Sequence, residues 1–434
     1  MLPATRQALQ IDDAAAPRAD NTHVIESAGN TGTNALRRRP RWARILTRVV
    51  VLFVVVHVIA LGAASWFYSS KIESDALHVR PGVWEQPFTV GSVDVAASGA
   101  SAILQLLPAP GAAAAAWQRR DLLTMPLQGL YWDGGRAQTD GPARALGVDP
   151  ATGLDVTVTR ADGTWPAVGA TIGSHTFTFG HGIVAPWQKV HFPGPQGPLD
   201  AAYWPAEGRT WAVMVHGKGA APDEFTRLAQ TTHALGMPSL AITYRGDVGM
   251  PAEPDDRYGF GINEWPDAEA AVTYAVAQGA QDVVLVGASM GGAIVASYLR
   301  HAKDTSAVRA VILEAPALHL AQVVDQGASQ VALPGGITLP GVVTWGAQRL
   351  TTVRFGLDWE AADYLTDTSW CDRPTLVLHG DADLTVPVSI SRDLARSCGE
   401  VNLVETPGAG HVASWNMDRS RYEQAVTDFL TPLR

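Results

Sequence analysis

Ser289 stands in the run Gly287-Ala288-Ser289-Met290-Gly291, a serine framed by glycines, and its chemistry would be nucleophilic attack on an acyl carbon. The preceding residues, Asp282 to Val286, read as a buried β-branched strand, and Met290 to His301 read as a helix. A sharp strand-to-helix turn pushes the serine outward, and Gly287 and Gly291 fit it because a Cβ at either position would strike neighbouring backbone. The helix start behind Ser289 offers unpaired amides and a positive dipole end to a developing oxyanion. The five residues alone would also suit a structural serine; the strand, turn and helix around them favour the nucleophile.

A serine hydroxyl needs a base for its proton and an acid to orient that base. His411 follows the run Val401 to Glu405 in Pro407-Gly408-Ala409-Gly410-His411, and Asp381 and Asp383 follow Thr375 to His379 in the loop Gly380 to Pro387. The order serine, acid, histidine fits this kind of site, and the carboxyl ends of strands are where open α/β sheets build one. His411 is read as the general base, a loop histidine being the alternative; either aspartate could be the acid. The loop Val215-His216-Gly217-Lys218-Gly219 follows the first parallel strand. Its Lys218 backbone amide, with that of Met290, is the expected oxyanion pair, supported by His216 and Gly217. The Lys218 side chain is read as an exposed lysine, or else as steering for an anionic substrate.

Short β-branched runs alternate with amphipathic stretches from residue 186 on. The runs are Trp211 to His216, Ser239 to Tyr244, Asp282 to Val286, Ala310 to Leu313, Thr375 to His379 and Val401 to Glu405. Helices are expected near Pro222 to Gly236, Pro266 to Gly279, Met290 to His301, Val388 to Ser397 and Asp418 to Leu430. That alternation predicts a doubly wound, mostly parallel sheet covered on both faces. Lys189 to Tyr203 should add two antiparallel strands before it.

The amino-terminal part differs. Residues 1–36 lack hydrophobic period and read as a disordered tail. Arg37, Arg38, Arg39, Arg41, Arg44 and Arg48 then precede Val49 to Tyr68, a stretch without a charged side chain. It matches the roughly 20 residues a helix needs to cross about 30 Å of hydrocarbon. The arginines should stay cytoplasmic, and Trp66 and Tyr68 suit the far interface, so a signal anchor would place the remainder outside the cytoplasm. A signal peptide cleaved near Gly62 to Ala64 and a buried core helix are the competing readings. His57, inside the span, is read as tolerated there. Residues 72–185 suggest a small β-rich unit. Turns are expected at Asp133-Gly134-Gly135 and Ala161-Asp162-Gly163, strands at Leu154 to Thr159 and Thr176 to Phe179, and an ordinary loop at Gly180-His181-Gly182.

The chain has 434 residues, 47% hydrophobic and 17% charged, enough to bury a core and to make two domains. Its net charge of −10 argues against nucleic acid, which wants a basic face. Neither a metal-ligand spacing nor a cofactor fingerprint is evident, so no cofactor is expected. The cysteines, Cys371 and Cys398, each precede a parallel strand. If those strands are neighbours at about 4.8 Å, the pair is within disulfide range, which an extracytoplasmic setting permits; two separate buried thiols are the alternative.

These residues together resemble the α/β-hydrolase superfamily, and more narrowly its membrane-associated BEM46-like branch, related to the prolyl-oligopeptidase and serine-aminopeptidase groups. The matching pieces are His216-Gly217, Tyr244-Arg245-Gly246-Asp247, Glu264-Trp265 with Asp267, Gly287 to Gly292, the His379 to Pro387 loop, and Gly410-His411 followed by Trp415-Asn416. They span about residues 186–434. The resemblance implies Asp383 as the acid, through the His-Gly-x-x-Asp-x-x-Val-Pro spacing, and leaves Asp381 as a turn residue. It also implies that the long insertion Leu318 to Trp370 is a helical cap; within it the apolar, hinge-rich Val331 to Val343 suits a pocket roof and equally suits packing against the scaffold. Tyr244 to Asp247 and Trp265 are expected to brace loops, lining the pocket being the alternative. Many relatives carry asparagine where Gly246 stands, so one polar contact of that loop is expected to be missing.

The expected protein is thus an α/β hydrolase with a cap, preceded by a basic tail (1–48), a transmembrane anchor (49–68) and a β-rich region (72–185). Its partners would be a small acyl ester or amide substrate and a lipid bilayer. Ser289 excludes the related chemistries that need a carboxylate nucleophile. An aminopeptidase-like or acyltransferase activity, and a binding protein that keeps the fold without using the site, are the competing functions.

Overall fold

The computed structural model describes residues 41–79, 88–108, 126–132, 135–144, 154–172, 186–333 and 337–434. The tail, Arg37 to Arg39, the turn residues Asp133 and Gly134, the strand expected at Thr176 to Phe179 and the loop at Gly180 to Gly182 lie outside the described residues.

The apolar run Val49 to Tyr68 falls inside a longer helix, Arg41–Ile72. The helix outruns the apolar stretch because arginine and serine flank it without breaking helical backbone. Among the described residues it is one helix long and apolar enough to cross a membrane. Residues 41–63 are almost wholly exposed, whereas Ser65, Ser69 and Ile72, one helical face, are buried. A five-residue π-helical turn, Glu73–Leu77, ends it.

Six antiparallel strands follow: β1 (Phe88–Val95), β2 (Ser101–Pro108), β3 (Pro126–Trp132), β4 (Gly135–Arg144), β5 (Leu154–Gly163) and β6 (Thr171–Ile172). Their order is β3-β4-β5-β2-β1-β6. Alternate residues of β1, β2 and β5, including Phe88, Val90, Leu104, Leu106, Val156 and Val158, form one small core. Trp132 pairs with Gly135 in this sheet. The turn expected at Ala161-Asp162-Gly163 is not there. Strand β5 runs through it, because Asp162 and Gly163 pair with Arg136 and Gly135 and the neighbouring strand overrides local turn chemistry.

The eight-stranded sheet comprises β7 (Gln188–Pro193), β8 (Pro198–Trp204), β9 (Thr210–Val215), β10 (Ser239–Ile242), β11 (Asp282–Ala288), β12 (Val308–Glu314), β15 (Thr375–Gly380) and β16 (Val401–Thr406). Its order is β7-β8-β10-β9-β11-β12-β15-β16. Strands β7, β8 and β10 pair antiparallel, and every pair from β10 to β16 is parallel. Burial tracks position: β9 and β15 are buried at every residue, while the edge strands β7 and β16 are half exposed. Side chains alternate between two cores. Val213, Leu240, Val283, Leu285 and Val311 pack with helices Trp265–Ala277 and Met290–His301. Ala212, Met214, Val284, Val286 and Ile312 pack with helices Thr226–Ala234 and Arg419–Leu430. Since β10 and β11 lie on opposite sides of β9, the order reverses there, and such a switch point opens a crevice at the strands' carboxyl ends.

The insertion between β12 and β15 is a cap of two helices, Leu320–Ser329 and Gly341–Phe355, with a short hairpin, β13 (Ala332–Leu333) and β14 (Ile337–Thr338), between them. Cys371 and Cys398 are bonded, with Cα atoms 6.2 Å apart. They precede adjacent strands β15 and β16, at the end of the sheet opposite the crevice.

Candidate active site

Ser289 occupies the turn between β11 and helix Met290–His301 with φ 51° and ψ −118°. A non-glycine residue there stores roughly 1–3 kcal/mol of strain, which the flanking packing must hold. The packing leaves no alternative: a Cβ on Gly291 would lie 1.9 Å from the Val215 carbonyl oxygen, and one on Gly287 would lie 2.6 Å from that of Gly291. The Ser289 amide donates to the Glu314 carbonyl at the end of β12, and Ala317 donates to the Ser289 carbonyl, both at 2.9 Å.

His411 Nε2 is 2.8 Å from Ser289 Oγ, and His411 Nδ1 is 2.7 Å from Asp383 Oδ2. The carboxylate can only accept, so Nδ1 carries the proton and Nε2 is left to accept from the serine. Asp383 is fully held. Its Oδ1 accepts the amides of Thr385 (2.8 Å) and Val386 (2.9 Å), and Oδ2 also lies 3.2 Å from His379 Nε2. Burial would raise this carboxyl, but His411 and His379 outweigh it and keep it well below the usual carboxylate range. For His411, burial disfavours the charged ring, yet the Asp383 carboxylate prevails and raises its pKa.

Asp381 is placed differently: exposed, it accepts the Gly408 amide at 2.6 Å and so ties the acid loop to the histidine loop. The amide of Ala382 meets the Ala409 carbonyl at 3.0 Å in the same seam.

The loop after β9 abuts the nucleophile, a Cβ on Gly217 lying only 3.0 Å from that of Ser289. This brings the loop backbone against Ser289 on one side, and helix Met290–His301 starts directly after it. Glu224 Oε2 accepts the Gly217 amide at 2.9 Å, and the Tyr244 hydroxyl donates to the Gly217 carbonyl at 3.0 Å. His216 is fully buried between Gly217 O and Asp247 Oδ2, each 2.9 Å away, and its ring stacks on Tyr244. Arg245 forks the Asp267 carboxylate at 2.8 and 2.9 Å and reaches Glu253 at 2.7 Å. The Tyr244 to Asp247 loop therefore braces its neighbours. Gly246 has φ 87° and donates its amide to Pro251. The Lys218 side chain is not the free surface lysine expected; it is half-buried, its ammonium donating to the Asp75 carbonyl of the π-helical turn.

Several supporting residues escaped the sequence reading. His379 donates from Nε2 to the Val386 carbonyl at 3.0 Å, so its Nδ1 accepts from the Ser391 hydroxyl at 2.6 Å. Its i, i+4 spacing to Asp383 was the available signal. Beneath His411, Arg227 donates to Glu314 (2.8 Å) and to the Val412 carbonyl (3.1 Å), and the Tyr422 hydroxyl donates to the same Glu314 oxygen at 2.9 Å. Those residues come from three separate elements, and nothing in their spacing announces them.

Residues 212–426 match the alpha/beta hydrolase family. Over that stretch, just under half of its length, the chain is similar to that family, and it has the α/β-hydrolase fold. Among solved structures it is similar to an esterase from Pyrococcus furiosus, with 15% identity, TM-score 0.44, and 57% of this chain and 93% of that one covered. It is similar also to Est1E from Butyrivibrio proteoclasticus (17%, TM-score 0.41, 56% and 98%). A third is a serine hydrolase from the polyaromatic-hydrocarbon-degrading bacterium Cycloclasticus zankles (16%, TM-score 0.42, 57% and 99%).

Proposed function

We propose that the protein is a membrane-anchored, extracytoplasmic serine hydrolase that cleaves an ester, thioester or amide through an acyl-enzyme on Ser289. The observation that carries this is the unbroken relay Ser289 Oγ, His411 Nε2 (2.8 Å), His411 Nδ1, Asp383 Oδ2 (2.7 Å), mounted on a strained elbow. Ser289 Oγ attacks the acyl carbon while His411 takes its proton; Asp383 fixes the tautomer and stabilises the imidazolium. The amides of Lys218 and Met290 receive the oxyanion. The bond to the leaving group breaks as His411 returns the proton to it, and a water activated by His411 then releases the acid and regenerates Ser289.

Sidedness is supported by Arg41, Arg44 and Arg48 before the apolar run, and by a disulfide suited to an oxidising compartment. Within the superfamily, our reading favours the BEM46-like branch, supported by the pieces around His216, Tyr244 to Asp247 and Asp383. In this reading residues 1–48 are a cytoplasmic tail, 49–68 the anchor, 72–185 an accessory region and 186–434 the catalytic domain with its cap.

A fluorophosphonate probe should label the wild-type protein and leave Ser289→Ala unlabelled. Absence of wild-type labelling, where a control hydrolase is labelled, would sink the catalytic reading. A panel of acyl esters against aminoacyl amides then separates esterase from peptidase.

A further inference from the structure

We propose that the cavity between the outer end of the anchor helix and the cap binds the acyl chain of a membrane lipid ester, delivered to Ser289 from the bilayer. The inference rests on the serine-hydrolase and anchor readings above and adds the substrate class.

A cavity of about 270 Å³ has Tyr68, Ile72 and Ala76 on one wall and Val323, Val324 and Ala347 of the cap on the other. That is at the small end of ligand pockets, which run from roughly 300 Å³, and suits one narrow apolar group. Tyr68 is the last residue of the apolar run, and Ala76 lies roughly 10 Å beyond it at helical rise. The cavity therefore starts where the helix would leave the hydrocarbon. Lys71 and Asp75, paired at 3.0 Å and half exposed, stand at its rim, where headgroups would lie.

The walls are tied together as helices are in membranes, through small and hydroxyl-bearing residues. A Cβ on Gly346 would lie 2.5 Å from Ser65 Oγ, so the helices touch. Ser65 Oγ donates to the Val343 carbonyl at 3.3 Å, Thr351 Oγ1 to Ser69 Oγ at 3.2 Å, and Arg354 to the Trp66 carbonyl at 3.0 Å. The same cap helix exposes Val342 (54%), Trp345 (60%) and Val353 (81%) along one face. An apolar stripe with a tryptophan, beside a membrane-crossing helix, is suited to the bilayer interface.

Two contacts lead from the cavity to the triad. At one rim, Asp75 accepts from Lys218 of the loop that abuts Ser289. At the other, Gln330, next to the cavity-lining Val331, donates to the Leu384 carbonyl at 2.5 Å, one residue from Asp383. In the proposal, a chain held there extends along these contacts and presents its ester carbonyl to Ser289. Oγ bonds to that carbon, the carbon–oxygen bond to the alcohol breaks with His411 supplying its proton, and water then frees the fatty acid.

The test uses the full chain in phosphatidylcholine vesicles, with umbelliferyl butyrate and umbelliferyl dodecanoate as substrates. Ala328→Trp and Ala76→Phe fill the cavity from opposite walls, and fluorophosphonate labelling verifies that each variant is folded. Wild type should favour dodecanoate. Each variant should lower the dodecanoate-to-butyrate ratio of kcat/KM by about fourfold for every methylene it excludes. Dodecanoate supplied in the protein's own vesicles should react faster than the same ester supplied on cyclodextrin. An unchanged ratio in both variants, or no wild-type preference for the long chain, overturns the acyl site while butyrate hydrolysis leaves the serine-hydrolase reading standing. Equal rates from vesicle and cyclodextrin overturn delivery from the bilayer. No labelling and no turnover of either ester in wild type sinks both readings.

Discussion

Replacing Arg227 with methionine tests whether the network beneath His411 positions the triad. The guanidinium and the Glu314 carboxylate are almost wholly buried, with side-chain exposures of 7% and 2%. Arg227 also holds the carbonyl of Val412, which follows the general base with φ 53°. Methionine fills similar volume and removes the charge. Removing one partner of a buried pair costs about 3–5 kcal/mol. The lower end applies here, because Arg227 Nε and Glu314 Oε1 have no hydrogen-bond partner even in the native protein and Glu314 can take up a proton. At roughly 2–4 °C per kcal/mol for a domain of this size, a loss of about 3 kcal/mol lowers Tm by about 6–12 °C.

The loss must depend on pH. Burial raises the Glu314 pKa above its ordinary 4.5 despite Arg227, and losing Arg227 raises it further. A group whose folded pKa is raised contributes stability that is present below the unfolded value and disappears as pH rises through the folded one. The deficit of Arg227→Met should therefore be smaller at pH 5 than at pH 8. Thermal unfolding followed by near-ultraviolet circular dichroism at both values measures it, with Arg227→Met/Glu314→Gln expected to recover more than half. A Tm change under about 2 °C at pH 8, or a deficit independent of pH, would refute the reasoning.

Asp383→Asn should lower kcat by about 10⁴ while leaving the fold intact, as loss of the orienting acid does in such triads; a loss under tenfold would shift the acid's role elsewhere. The activity of the wild type should rise with pH through a limb above 6.5, because Asp383 raises the His411 pKa and only neutral His411 accepts the serine proton. In Asp383→Asn that limb should move to lower pH, read from kcat/KM profiles. Cys371→Ser/Cys398→Ser should cost about 3.5 kcal/mol for opening a loop of 27 residues. It should leave kcat/KM at 25 °C unaltered, since the bond lies at the far end of the sheet. Gly291→Ala should give no labelled, folded protein, its Cβ meeting the Val215 carbonyl oxygen at 1.9 Å.

The sheet was legible because β9, β11, β12 and β15 are continuous apolar runs, and parallel strands buried on both faces leave that mark directly in sequence. Ser289 and His411 were legible for a related reason: each follows such a run at its carboxyl end. Choosing Asp383 over Asp381 needed the resemblance, since both aspartates occupy one loop and only the tertiary seam with Gly408 separates them. The expected turn at Asp162-Gly163 failed where pairing outweighed local preference. Arg227, Glu314 and Tyr422 were invisible because a buried network across three elements has no sequence period. The contact of the long helix with the cap was invisible too, because Ser65 and Ser69 gain their meaning only where Gly346 and Thr351 stand against them.

The loop beside Ser289 also explains why His216 belongs there. Glu224 fixes the Gly217 amide, and His216 meets the carbonyl of the same residue. Both His216 nitrogens face acceptors, Gly217 O and Asp247 Oδ2, and a neutral imidazole has one proton for the two. Burial opposes the charge, yet Asp247 outweighs it and the His216 pKa is raised. When protonated, His216 donates on both sides and stiffens the loop through Gly217. Its stabilisation is present below 6.5 and fades as pH rises through the raised value. Asp223 is pushed up to about 6 by burial and then by Glu224. The backbone beside Ser289 is thus held by Glu224, Tyr244 and His216 together, and His216 keeps its place only with Asp247 to meet its other nitrogen.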